Sequence, residues 1–101
     1  MKKRACKVKV NVRFVGSFRN ITKKGKIALE LSEGVQLKEA IKQIIEKFPN
    51  MERALIDPEL GDPRPNTLII VNDCEISVLK GLETTLKDGD EVVLIPVSHG
   101  G

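Results

Sequence analysis

The 101 residues include 17 Lys and Arg against 14 Asp and Glu, and 41% are hydrophobic, with no Trp or Tyr. That suits one domain with a core of Val, Ile and Leu, and no stretch approaches the roughly 20 consecutive apolar residues of a membrane span. Two cysteines and one histidine exclude a disulfide framework and a four-ligand zinc site.

The charge is unevenly spread. Ten of the 17 bases lie in residues 1–26, which hold no acid, so seven bases and all 14 acids share residues 27–101. Such a field steers encounters with an acidic partner or nucleic acid, or else forms the solvated outer face of a hairpin. The basic start Lys2-Lys3-Arg4 is not followed by the apolar region of a signal peptide, so a reducing cytoplasm is the expected location.

In chain order, residues 1–6 form a short basic extension. Val8, Val10, Val12 and Phe14 then alternate with Lys7, Lys9, Asn11 and Arg13, the period of a half-buried strand. Gly16 to Gly25 is a polar connection, and Ile27, Leu29 and Leu31 give a second strand, antiparallel to the first. After the Ser32-Glu33-Gly34 turn, Leu37, Ala40, Ile41, Ile44, Ile45 and Phe48 recur every three or four residues. That spacing predicts an amphipathic helix from about Gln36 to Phe48, stopped by Pro49-Asn50.

Residues 51–56 suggest another short helical turn. Three prolines and a glycine in the next nine residues predict an irregular surface loop over 57–66. Thr67 to Val71 reads as a third strand, Asn72-Asp73 as a tight turn, and Glu75-Ile76-Ser77 as a short fourth strand. Leu79, Leu82 and Leu86 of the following connection are expected to pack inward. Lys87-Asp88-Gly89-Asp90 turns the chain into a last strand, Glu91 to Ile95.

One helix on a mixed sheet is the economical arrangement, an α+β domain in two layers. The apolar last strand fits a central position, and beside the first strand it would launch the tail from the middle of the sheet. Both its faces are apolar, with Val92 and Leu94 on one and Val93 and Ile95 on the other. One helix covers one face, so the second set is either covered by the loop of residues 51–66 or left as a patch for a protein partner.

The tail, about residues 96–101, reads Pro96-Val97-Ser98-His99-Gly100-Gly101. Two glycines without a Cβ make a slim, pliable end, ordinary for a terminus and also suited to carrying a carboxylate into a narrow channel.

These pieces resemble, in order, the ubiquitin-like β-grasp sulfur carriers of the MoaD/ThiS family. The resemblance is carried by Val12 to Arg19, Leu31 to Val35, Ile70 to Ile76, Leu86 to Val92 with its Asp88-Gly89-Asp90-Glu91, and the Gly100-Gly101 ending. It implies a β-grasp fold of four to five strands on one main helix, spanning residues 1–101 as one domain. It also implies a carrier that is not itself an enzyme and binds no cofactor. An activating enzyme of the ubiquitin-activating type uses ATP to adenylate the Gly101 carboxylate, and a sulfur donor converts the adenylate to a thiocarboxylate.

The sulfur then passes to a molybdopterin precursor or a tRNA base. The chain can be the small subunit of molybdopterin synthase, serve a tRNA thiolase, or, as in some relatives, be joined to target lysines. Gly100, His99, Ser98, Val97 and Pro96 are the implied contacts with the partner enzyme. Molybdopterin-type carriers usually end Ser-Gly-Gly, whereas His99 before the glycines is closer to ubiquitin-related modifiers and carriers serving tRNA thiolation. Asn72-Asp73 stands where many relatives have Asn-Gly, and the Pro-rich loop 57–66 looks like an insertion.

Other candidates are weaker. His99 has the acid/base chemistry of an imidazole but no fixed neighbour on a tail. Cys74 lacks the basic sequence neighbours of a reactive thiol, and Cys6 is expected to be similarly inert. A reading from another class is a basic β-grasp RNA-binding module, limited to phosphate contacts because the basic region has only Phe14 and Phe18 for stacking.

Overall fold

The structure, a computed structural model, describes residues 7–97. Residues 1–6 and 98–101, and with them the basic extension, Cys6 and the last four residues of the tail, lie outside the described residues. A five-stranded mixed sheet is formed by β1 (Lys7–Phe14), β2 (Lys26–Ser32), β3 (Thr67–Val71), β4 (Cys74–Glu75) and β5 (Glu91–Pro96), in the spatial order β2-β1-β5-β3-β4. β1 pairs antiparallel with β2 and parallel with β5, and β5 pairs antiparallel with β3. The last strand is therefore central, with Val12 beside Val92 and Phe14 beside Leu94.

Alternation decides the layers. Val10, Val12, Leu29, Leu31, Ile69, Val92 and Leu94 are buried, and they meet Leu37, Ala40, Ile41 and Ile44 from α2 (Leu37–Lys47) in one core. Helix, strands and the α+β arrangement are as the periodicity implies. The start of α2 is fixed through its backbone: Leu37 N–H donates to the Thr84 carbonyl at 2.8 Å, and Leu86 N–H to that of Val35 at 2.9 Å.

Four local features differ from the sequence reading. The polar connection 16–25 contains a helix, α1 (Ser17–Thr22), because Phe18 and Thr22 share one face and both are buried. Its end at Lys23, in the left-handed region, is tied by a 2.8 Å bond to the Arg19 carbonyl. The fourth strand is only Cys74–Glu75, since the chain turns at Ile76–Val78 into a 3₁₀ segment that drives Ile76 inward. Leu79 consequently faces outward, while Leu82 and Leu86 pack inward as expected. The fourth concerns the loop of residues 57–66, which follows α3 (Met51–Leu55) and has its own internal order: Asp57 Oδ1 accepts from the Glu59 and Leu60 amides, and Asp57 and Asp62 form a bridge. It lies against α2 beside Ile41 and Ile45, so among the described residues the opposite face of the sheet stays uncovered.

The start of β5 is held by a dense set of bonds. Lys9 N–H donates to Asp88 Oδ1 and Gly89 N–H to the Lys9 carbonyl, each at 2.8 Å, and Asn11 N–H reaches the Asp90 carbonyl at 2.9 Å. From the turn after β3, Asn72 donates to Asp90 through its side-chain amide and accepts the Glu91 N–H through its oxygen. Asn72 and Asp73 both have positive φ, the geometry of a two-residue hairpin turn that Asn and Asp adopt with little strain.

Two expectations test this arrangement. Leu94→Ala removes a fully buried side chain and should cost about 3 kcal/mol, whereas Val93→Ala, one residue along on the uncovered face, should cost less than about 1 kcal/mol in urea denaturation. Arg64 donates to the Asp62 carboxylate and holds its pKa below the ordinary value. A carboxylate depressed in the folded state stabilises above its unfolded pKa of about 4 and loses that contribution as pH falls through the depressed value. An Asp62→Asn variant should therefore be less stable than the parent at neutral pH, and the two should converge in acid.

Candidate functional site

The candidate site is the point where the chain leaves the sheet. Pro96 is the last residue of β5, opposite Thr67, and Val97 N–H still donates to the Asn66 carbonyl at 2.9 Å. On the other side Val15 N–H donates to the Leu94 carbonyl at 3.2 Å, and Gly16 lies against the Pro96 ring. Gly16 has φ 61°, and a Cβ there would sit 3.3 Å from Pro96 Cγ, so both its backbone conformation and its close approach favour glycine. The root of the tail is thus gripped between β1 and β3 up to Val97, which is exposed. Of the residues expected to act, Pro96 and Val97 are placed at this root. Ser98, His99, Gly100 and Gly101 lie outside the described residues.

Beside the root, the uncovered face of the sheet divides into two parts. Leu68, Ile70, Val93 and Ile95 form an apolar strip across β3 and β5, with Leu68 opposite Ile95 and Ile70 opposite Val93. Leu68 is 38% exposed and the other three are half-buried. Val93 and Ile95 were legible in the sequence. Leu68 and Ile70 were read only as part of an apolar run, although their alternation with buried Ile69 and Val71 carries the signal.

Across β1 and β2 the same face is polar and basic. Arg13 lies opposite Lys26, and Arg13 is 4.0 Å from Glu91. Arg19 of α1 leans over Gly25, with its side chain 3.4 Å from where a Cβ would stand. Read as part of a connection, Arg19 and Gly25 gave no sign of this placement. Cys74 is exposed in the β3–β4 hairpin, away from the root. Among the described residues no cluster of His, Cys, Asp and Glu could hold a metal ion, and no helix is long and apolar enough to cross a membrane.

A five-stranded mixed sheet of this order, packed on one main helix and releasing its C-terminal segment from the central strand, defines a ubiquitin-like β-grasp domain. The pattern of the ThiS family matches residues 12–101, and the chain belongs to that family.

Among curated relatives, ubiquitin-related modifier 1 of Laccaria bicolor is 44% identical over 50 residues, which is 50% of this chain and 41% of that protein. Small archaeal modifier protein 3 of Haloferax volcanii is 23% identical over 94 residues, covering 93% of this chain and 100% of that one. The alignments to the first ubiquitin-related modifiers span about two-fifths of their length. Among solved structures, small archaeal modifier protein 1 of Methanosarcina acetivorans superposes with a TM-score of 0.79 at 23% identity, covering 95% and 99% of the two chains; this likeness concerns the fold.

The grip on the tail root is open to test. Gly16→Ala forces a Cβ into the left-handed region against Pro96 and should cost about 1–3 kcal/mol. Hydrogen exchange at the Val97 amide should rise with it.

Proposed function

We propose that the chain is a ubiquitin-like sulfur carrier that works through the Gly101 carboxylate. The observation that carries this reading is the family match running through Gly100 and Gly101, a few residues after a strand paired with β1 as far as Leu94 and with β3 as far as Pro96. A carboxylate is a poor electrophile until one oxygen becomes a good leaving group. An activating enzyme supplies one by attaching AMP from ATP and releasing pyrophosphate. Attack on the Gly101 carbonyl carbon by a donor supplying sulfur at the level of hydrosulfide forms the C–S bond, breaks the bond to AMP and leaves a thiocarboxylate. The carrier contributes positioning: a rigid base, a tail without obstructing side chains and a docking face. It binds no cofactor of its own, and its work belongs in a reducing cytoplasm.

The apolar strip of Leu68, Ile70, Val93 and Ile95 is the face proposed to meet the activating enzyme. It lies within the two strands that hold the root, so docking there points the tail toward one site on the partner. The sulfur acceptor favoured by His99 before the glycines is an RNA base. The resemblance to ubiquitin-related modifiers also supports transfer of the activated glycyl group to lysines. A second reading, the small subunit of a molybdopterin synthase, uses the same tail and strip with a larger subunit as partner.

Deleting Gly101 should abolish ATP–pyrophosphate exchange by the cognate activating enzyme, and persistence of exchange would overturn the proposal. Leu68→Asp should leave the fold intact and raise the KM for the carrier roughly tenfold, as loss of an interface anchor does. Protein isolated from its own cells should carry a fraction with one oxygen replaced by sulfur at Gly101, seen by intact mass.

A further inference from the structure

The basic end of the β1–β2 hairpin lies apart from the apolar strip, and its geometry has a chemistry of its own. Arg13, Arg19 and Lys26 line a concave cleft of about 400 Å³, completed by Phe14, Gly25 and Glu91. Arg13 and Lys26 are directly opposed on neighbouring antiparallel strands. Like charges in that relation destabilise a sheet, and the single acid lining the cleft, Glu91, reaches only Arg13, at 4.0 Å. Among the described residues, Arg19 and Lys26 have no carboxylate within ion-pair distance. Lys23 and Lys24 extend the positive charge over the turn that joins α1 to β2.

Gly25 matters here because its missing side chain leaves room for Arg19 to lie across the turn. Two guanidinium groups and an ammonium around one hollow suit phosphate oxygens, which accept paired hydrogen bonds from arginine.

We propose that this cleft binds the phosphodiester backbone of a folded RNA, and that it holds the sulfur-accepting RNA beside the root of the tail. The proposal rests on the sulfur-carrier reading for its biological use, though not for the binding itself. The observations favour RNA over an acidic protein. Protein interfaces have an apolar centre depleted of charge, and the apolar strip lies on β3 and β5, whereas the cleft is lined mainly by charged groups, with Phe14 and Gly25 beside them. Phe14 and Phe18 are buried, and the chain has no Trp or Tyr, so the cleft offers unpaired bases no exposed aromatic ring to stack on. Binding should therefore follow the backbone of a double-helical segment and depend little on its sequence.

The test is fluorescence anisotropy of the full-length protein with a labelled RNA stem-loop, from low to physiological salt, with polyglutamate as an acidic competitor. The wild-type protein should bind the RNA in a salt-dependent way and prefer it to polyglutamate. The Arg13→Ala/Arg19→Ala/Lys26→Ala variant should bind roughly tenfold or more weakly. Its log-log salt slope should be shallower by about 2–3, near one unit for each phosphate that the variant no longer neutralises. Lys38→Ala/Lys42→Ala on α2 should leave binding unchanged, and circular dichroism checks that each variant is folded.

ATP–pyrophosphate exchange separates the two readings. A triple variant that is activated normally but no longer binds RNA supports the cleft assignment. Failure of wild-type protein to bind RNA even at low salt overturns it, as does a triple variant that binds as well as wild type. If the triple variant instead loses activation while wild type prefers polyglutamate, the cleft is a contact for an acidic protein and the RNA proposal is overturned.

Discussion

The structure depends on the register of one strand. β5 must run parallel to β1 and antiparallel to β3 at the same time, and a slip of one residue would turn Val92 and Leu94 out of the core and Val93 and Ile95 into it. Such a slip is opposed at the strand's first residues. Asp88 and Gly89 bond Lys9, the Asp90 carbonyl receives the Asn11 amide, and the Asn72 side chain bridges Asp90 and Glu91. A parallel neighbour has no hairpin turn to set its alignment, so these polar contacts do that work. The Asp-Gly-Asp-Glu segment thus fixes the register of the strand that carries the tail root.

Most of the architecture was legible because it follows from periodicity. Alternation in residues 7–14 and 27–31 marked the first hairpin, and the three-and-four spacing of residues 37–48 marked the long helix. The apolar run of residues 91–95 marked a central strand. What periodicity did not disclose was short or decided by packing. Six residues of α1 are too few to show a repeat, and two polar neighbours mask the Phe18–Thr22 pair. The second half of the fourth strand gave way to a 3₁₀ turn because burying Ile76 outweighed extending a two-residue ladder. The strip and the cleft were half visible. Each strand showed its outward residues, but the β2-β1-β5-β3 order that gathers them comes only from the assembled sheet.

That order also separates two kinds of surface. Because β5 is inserted between β1 and β3, the basic hairpin lies on one side of it, while the apolar strip runs over β5 and onto β3 on the other. Apolar contact gains from excluding water and charge contact is screened by salt, so the two halves answer to different conditions. One contact can therefore be weakened by a change of conditions while the other persists.

The parallel pairing of β1 and β5 has a mechanical consequence as well. Both strands lie near the ends of the described chain, one first and one last in sequence, and they point the same way. Tension applied between the two ends would load all the hydrogen bonds between them together, in shear. In an antiparallel pair joined by a turn, the same tension would open them one after another. The β1–β5 pairing thus resists a pull along the chain better than a hairpin of the same length would.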